Sequence, residues 1–81
     1  MSEMEPIEVT AHFDEHGTIT PLHFTWKGSL QRVESCGRRW MDEDSQHILV
    51  MVSSGRMYEL IFKRGEGRWY IGRVAPDRMA I

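Results

Sequence analysis

Four histidines, a single cysteine and the acidic triplet Asp42-Glu43-Asp44 are the residues of this 81-residue chain whose types could support chemistry. His12 and His16 have the HxxxH spacing by which zinc ligands pair. That spacing unites two ligands on a helix, whereas here it straddles the end of an alternating run and a turn. His23 and His47 are scattered and Cys36 has no partner cysteine, so no metal centre is expected. Arg38 and Arg39 could lower the pKa of the Cys36 thiol, but nothing in the sequence sets a base beside it. The acidic triplet lacks the remaining spacing and the distal glutamate of a calcium loop. Gly65 and Gly67 flank a glutamate between two strand-like runs, as a hairpin turn does, and no phosphate-cradling glycine motif is present. The chain is expected to be no enzyme and to carry no cofactor.

Binding chemistry is better represented. Arg56, Lys63, Arg64 and Arg68 stand at the ends of hairpins, and Tyr70 projects from the last strand. Small β barrels hold single-stranded nucleic acid by stacking bases on such aromatics beside a basic groove, at about 1–3 kcal/mol per base. The formal charge of −2 is not the balance of a dedicated nucleic-acid binder. Met57, Ile61 and Tyr70 form a different surface, an apolar face for a protein partner or a second copy of the chain.

The elements that must position these residues are strands. Residues 46–74 comprise three apolar, β-branched and aromatic runs separated by two glycine-bearing turns, the mark of an antiparallel meander. In its second hairpin, a loop of Arg64-Gly65-Glu66-Gly67 pairs Lys63 with Arg68, Phe62 with Trp69, Leu60 with Ile71 and Tyr58 with Arg73. The first hairpin admits two registers. A two-residue loop sets Leu49 and Met51 opposite Leu60 and Tyr58; a three-residue loop, Ser53-Ser54-Gly55, sets Ile48 and Val50 there. The second is preferred, because β-branched Ile48 and Val50 suit a buried face. The opposite face then carries Leu49, Met51, Met57, Ile61, Tyr70 and Val74, interrupted by Glu59 and Gly72. It needs a cover, either the N-terminal hairpin or a partner.

Upstream, residues 7–13 alternate apolar and polar, residues 14–17 form a turn, and residues 18–27 place Leu22, Phe24 and Trp26 on one side. Pro21 marks a strand start or an edge. Lys27-Gly28 turns the chain into a strand at 29–35, where Leu30 and Val33 break alternation as a bulge would. Residues 36–45 read as irregular, with Trp40 plugging one end of the core. The expected fold is all-β, a small antiparallel barrel or roll of five to six strands with little or no helix. It forms one domain over 1–81, ordered from about 6 to 75, with 1–5 and 76–81 loose.

At this length about 60% of the unfolded surface is buried on folding. Three Trp, three Phe, two Tyr and six Met supply the bulk of a compact core without a staple. Residues 1–26 hold five acids and no Lys or Arg, whereas residues 46–81 hold six bases and three acids. Such asymmetry marks an interaction face, or an acidic end that lies across the basic hairpin within one fold. One cysteine, no apolar run of membrane-spanning length and an acidic start without signal-peptide character point to the cytoplasm and away from a membrane.

The pattern Pro21-Leu22, Phe24, Trp26, Gly28, Val33-Glu34, Trp40, Gly55-Arg56, Tyr58-Glu59-Leu60 and Gly67-Arg68-Trp69-Tyr70-Ile71 resembles that of a small uncharacterised bacterial domain family, over about residues 6–74. It is also similar to the C-terminal segment of catalytically impaired Y-family polymerase homologues of bacterial mutagenesis and DNA repair. The resemblance implies an accessory, non-catalytic role near DNA or a repair protein, and brings no active-site residues. The function expected is that of a non-enzymatic binding or adaptor module for a protein partner or self-association, with single-stranded nucleic acid as the alternative.

Overall fold

A computed structural model describes residues 4–75. Six strands follow one another, β1 (Glu5–Phe13), β2 (Ile19–Trp26), β3 (Ser29–Met41), β4 (Ser45–Val52), β5 (Met57–Lys63) and β6 (Arg68–Ala75). Each pairs antiparallel with the next, and β1 returns to β6, so the sheet closes into a barrel. The expected all-β fold is the one observed. The expected loose ends at 1–3 and 76–81 lie outside the described residues, and β1 already begins at Glu5.

Turn chemistry fixes the hairpins. Lys27 and Gly28 both take positive φ, 52° and 77°, the backbone of a two-residue turn whose twist matches the flanking strands. Ser53-Ser54-Gly55 closes the next meander turn, with Gly55 at φ 94° and its N–H on the Val52 carbonyl at 2.8 Å. Ile48 accordingly faces Leu60 and Val50 faces Tyr58, the register that β-branched burial favours. At the start of the barrel, Asp14 Oδ1 accepts the N–H groups of His16 and Thr18, both at 2.9 Å, and shapes the β1–β2 turn. These local bonds hold the Asp14 carboxyl below the ordinary carboxylate value.

Bulges account for the departures from simple alternation. Across β1 and β2 the register slips between Ala11↔Pro21 and Thr10↔His23, leaving Leu22 as the extra residue. Pro21 has no N–H for the ladder, which makes its neighbourhood the natural place for a bulge. Pro21 and Phe24 therefore both point inward, and Leu22, expected beside Phe24, is exposed. On β6 the extra residue is Gly72: Leu60 faces Ile71, but Glu59 faces Arg73 and Tyr58 faces Val74. The expected Tyr58–Arg73 pair is thus replaced.

The largest correction concerns residues 36–45. Residues 36–41 continue β3 to a length of 13 residues, with irregularities at 33–35 and 36–39 that bend the strand. Its first part pairs with β2 and its second with β4. Beyond the last β2–β3 pair, Arg39 Nη1 donates to the Ile19 carbonyl at 2.6 Å and links the second part of β3 to the start of β2.

The core is built from Ile19, Phe24, Ile48, Val50, Val52, Tyr58, Leu60, Trp69 and Ile71. Phe24 and Tyr58 meet edge to face at 5.2 Å between centroids, and Phe62 leans on Trp69 at 5.0 Å. The acidic first strand lies along basic β6, with Glu5, Pro6 and Ile7 opposite Ile71, Tyr70 and Trp69. The N-terminal hairpin continues the barrel wall and does not lie over the outer face of β4–β6.

Candidate binding face

Because Ile48, Leu60 and Ile71 point inward, their sequence neighbours point out. Register places Trp40, His47, Ile61, Tyr70 and Pro6 side by side across five strands. At about 4.8 Å per strand this outward row is about 19 Å long.

His47 is its centre. The imidazole stacks on Trp40, with centroids 5.1 Å apart and planes 11° from parallel. Nδ1 meets Glu59 Oε2 at 2.7 Å and Nε2 meets Asp42 Oδ2 at 2.9 Å. A neutral imidazole has one N–H and one lone pair, so two carboxylates at these distances select the doubly protonated ring. Burial opposes the charge, but the bonds and charges of Glu59 and Asp42 outweigh it and raise the pKa of His47 above its ordinary value. The Asp42 carboxyl is correspondingly lowered, first by the bond from His47 and then by the N–H groups of Ser45 and Asp44. Arg38 lies 5.4 Å from the Trp40 ring centre. Trp40 is therefore not the core plug expected of it; it belongs to the outer wall.

Ile61 and Glu59 sit low on this face, 4% and 6% exposed, because Gly72 leaves room beneath them. A Cβ at residue 72 would lie 2.7 Å from Ile61 Cδ1 and 3.3 Å from Glu59 Oε1. Met57, Ile61 and Tyr70, the expected apolar surface, do share the face. Ile61 is buried within the chain, while Met57 and Tyr70 are half-buried. Met41 follows Trp40 at the end of β3 but lies on the opposite face, in register with Gln46 and Phe62, and is 61% exposed.

The residues expected to meet a nucleic acid are divided. Lys63, Arg64, Arg68 and Tyr70 gather at the β5–β6 end, where Lys63 faces Arg68 in register and its ammonium lies 5.9 Å from the Tyr70 ring. Tyr70 donates its hydroxyl to Glu66 at 2.7 Å, and Arg64 donates to the Glu43 carbonyl at 3.0 Å. Arg56 lies in the β4–β5 turn at the far end of β5, about 20 Å away by strand rise. Arg68 also borders a shallow cleft of about 260 Å³ with Pro6, Ile7, Gly67 and Trp69. That is smaller than most ligand pockets.

No three histidine, cysteine or carboxylate side chains converge for a metal among the described residues. Asp42 and Glu59 occupy opposite nitrogens of one ring and do not share a point between them. Among the described residues no helix is long and apolar enough to cross a membrane. Sequence reading missed the Trp40–His47–Asp42–Glu59 group because it placed residues 36–45 outside any strand. The available signal was Glu59, an acid alternating into an otherwise apolar strand face. In comparisons with known proteins, no family, curated protein or solved structure matches the chain.

Proposed function

We propose that this chain is a non-enzymatic module of the bacterial cytoplasm that binds a protein partner through the outward row from Trp40 to Tyr70. The observation that carries this reading is the row's composition. Two aromatics, Trp40 and Tyr70, flank a low apolar centre, and the half-buried Met57 shares their face. Trp, Tyr, Met and Arg are the side chains enriched where proteins meet. The row's cationic groups are meanwhile engaged by the chain itself. His47 lies between two carboxylates, Arg64 is bonded to backbone carbonyls and Lys63 rests near Tyr70. A protein surface asks for such matched charge, whereas a phosphate track asks for cations in excess.

Single-stranded nucleic acid is the second reading, favoured by Lys63 and Arg68 beside the half-buried Tyr70 ring. Site-specific photo-crosslinkers at residues 57 and 70, with residue 10 on the outer face of β1 as control, separate the two in cells. A discrete protein adduct from 57 and 70 but not from 10 is expected. Adducts to nucleic acid at 70 would install the second reading, and equal labelling at all three positions would remove the face altogether.

A further inference from the structure

His47 joins two carboxylates that differ in environment. The Glu59 side chain is 8% exposed and belongs to the barrel wall, whereas Asp42 is 56% exposed and belongs to the β3–β4 turn. If the ring loses one proton, one carboxylate must face a lone pair. Withdrawing a donor from a buried carboxylate costs more than withdrawing it from one that water can solvate. The remaining proton therefore stays on Nδ1 toward Glu59, and Asp42 is the partner released.

Asp42 is the organiser of its turn. Its N–H donates to the Ser45 carbonyl at 3.0 Å, and Oδ1 accepts the N–H groups of Ser45 and Asp44 at 3.0 and 3.3 Å. Arg64, from the β5–β6 loop, donates to the carbonyls of Glu43 and Asp42 at 3.0 and 3.5 Å. The Arg64 N–H in turn donates to the Asp44 carbonyl at 3.0 Å. Through these bonds one imidazole connects the turn, the wall of β5 and the neighbouring hairpin.

We propose that His47 is a proton-operated latch: doubly protonated, it ties the β3–β4 turn to the barrel wall, and on losing one proton it frees Asp42 and loosens the turn. The charged groups around it are Arg38 on β3, near the Trp40 ring that stacks on His47, Asp42 on the turn and Glu59 on β5. On β6, register sets Arg73 opposite Glu59. The raised pKa gives the sign. The latch is closed on the acid side and through the ordinary histidine range, and opens as pH rises through the raised value. The inference stands on the hydrogen-bond geometry and does not require the partner proposed above.

The test is an NMR titration of the full, ¹⁵N,¹³C-labelled chain from about pH 5 to about pH 9, reading all four histidine rings and the amides of residues 42–45. His47 is expected to titrate above the ordinary histidine value. The Asp44 and Ser45 amides and the Trp40 indole should share its midpoint, and amide exchange at 43–45 should rise about tenfold beyond base catalysis above it. Asp42→Asn, at an exposed site, should bring the His47 midpoint down toward the ordinary histidine value and uncouple the turn amides. His47 titrating at or below the ordinary histidine value would overturn the proposal. So would a high His47 midpoint that the turn amides ignore in the native chain, or one that stays high in Asp42→Asn.

Discussion

Replacing Gly72 by alanine tests the packing that lets Ile61 and Glu59 lie flat on the outer wall. The new Cβ would stand 2.7 Å from Ile61 Cδ1, against about 3.5–4.0 Å for an ordinary carbon contact. Cδ1 is the end of a rotatable side chain, so the clash is relieved by turning Ile61 off its preferred rotamer at about 0.5–1.5 kcal/mol. Glu59 Oε1, at 3.3 Å, must also yield, while its other oxygen holds His47. Alanine opposes these costs by restricting the unfolded chain, worth about 0.4–1 kcal/mol where the backbone is compatible. Gly72 is not among the positive-φ glycines, so that gain applies. The rotamer cost and the unfolded-state gain nearly cancel. Partial loss of the charge-assisted Glu59–His47 bond, worth about 1.5–3 kcal/mol when intact, leaves a net destabilisation of about 1 kcal/mol, or about 4–8 °C in Tm for a domain of this size. Thermal and urea unfolding measure the loss, and the Ile61 δ1 methyl and His47 ring signals locate it. A variant more stable than the parent, with both signals unmoved, would refute the packing.

The remaining predictions concern the core, the turns and pH. Leu60→Ala, at a fully buried position facing Ile48 and Ile71, should cost about 2–5 kcal/mol in urea unfolding; a loss below about 1 kcal/mol would contradict its central place. Gly55→Ala should cost about 1–2 kcal/mol because residue 55 has φ 94°. Gly65→Ala, with open space around it and no positive φ, should be neutral or gain up to about 1 kcal/mol; equal effects at the two glycines would refute the turn assignment. For pH, His47 contributes stability that is complete below about pH 6.5 and is lost as pH rises through its raised value. Asp14 and Asp42 contribute stability present above about pH 4 and lost as pH falls through their lowered values. His47→Gln should therefore flatten the alkaline limb of the stability profile and leave the Asp14 part of the acid limb.

Much of the barrel was legible because turns and alternation are local signals. Gly55 and β-branched Ile48 and Val50 were enough to select the first meander register, and Lys63 with Arg68 the second. The bulges were not, because each is settled by contacts between strands distant in sequence. Leu22 looks like a core residue until Pro21 fails to donate, and Tyr58 looks opposite Arg73 until Gly72 is left out of the ladder. Residues 36–41 look irregular because Gly37, Arg38 and Arg39 carry no alternation. They become strand by pairing with β4 and through the reach of Arg39 to Ile19. The site suffered most from that error. Its aromatic, Trp40, was assigned to the interior, and His47 was grouped with the scattered histidines although two acids await it in the fold.

The proposed working surface is the Trp40–Tyr70 row and no other part of the barrel. A chemical-shift map decides this, with the labelled chain titrated at low and moderate salt with the protein captured by crosslinking at residues 57 and 70. Shifts at Trp40, His47, Met57 and Tyr70 that persist as salt is added are expected. Shifts confined to the outer face of β1 and β2, or to Lys63, Arg64 and Arg68 and abolished by salt, would contradict it.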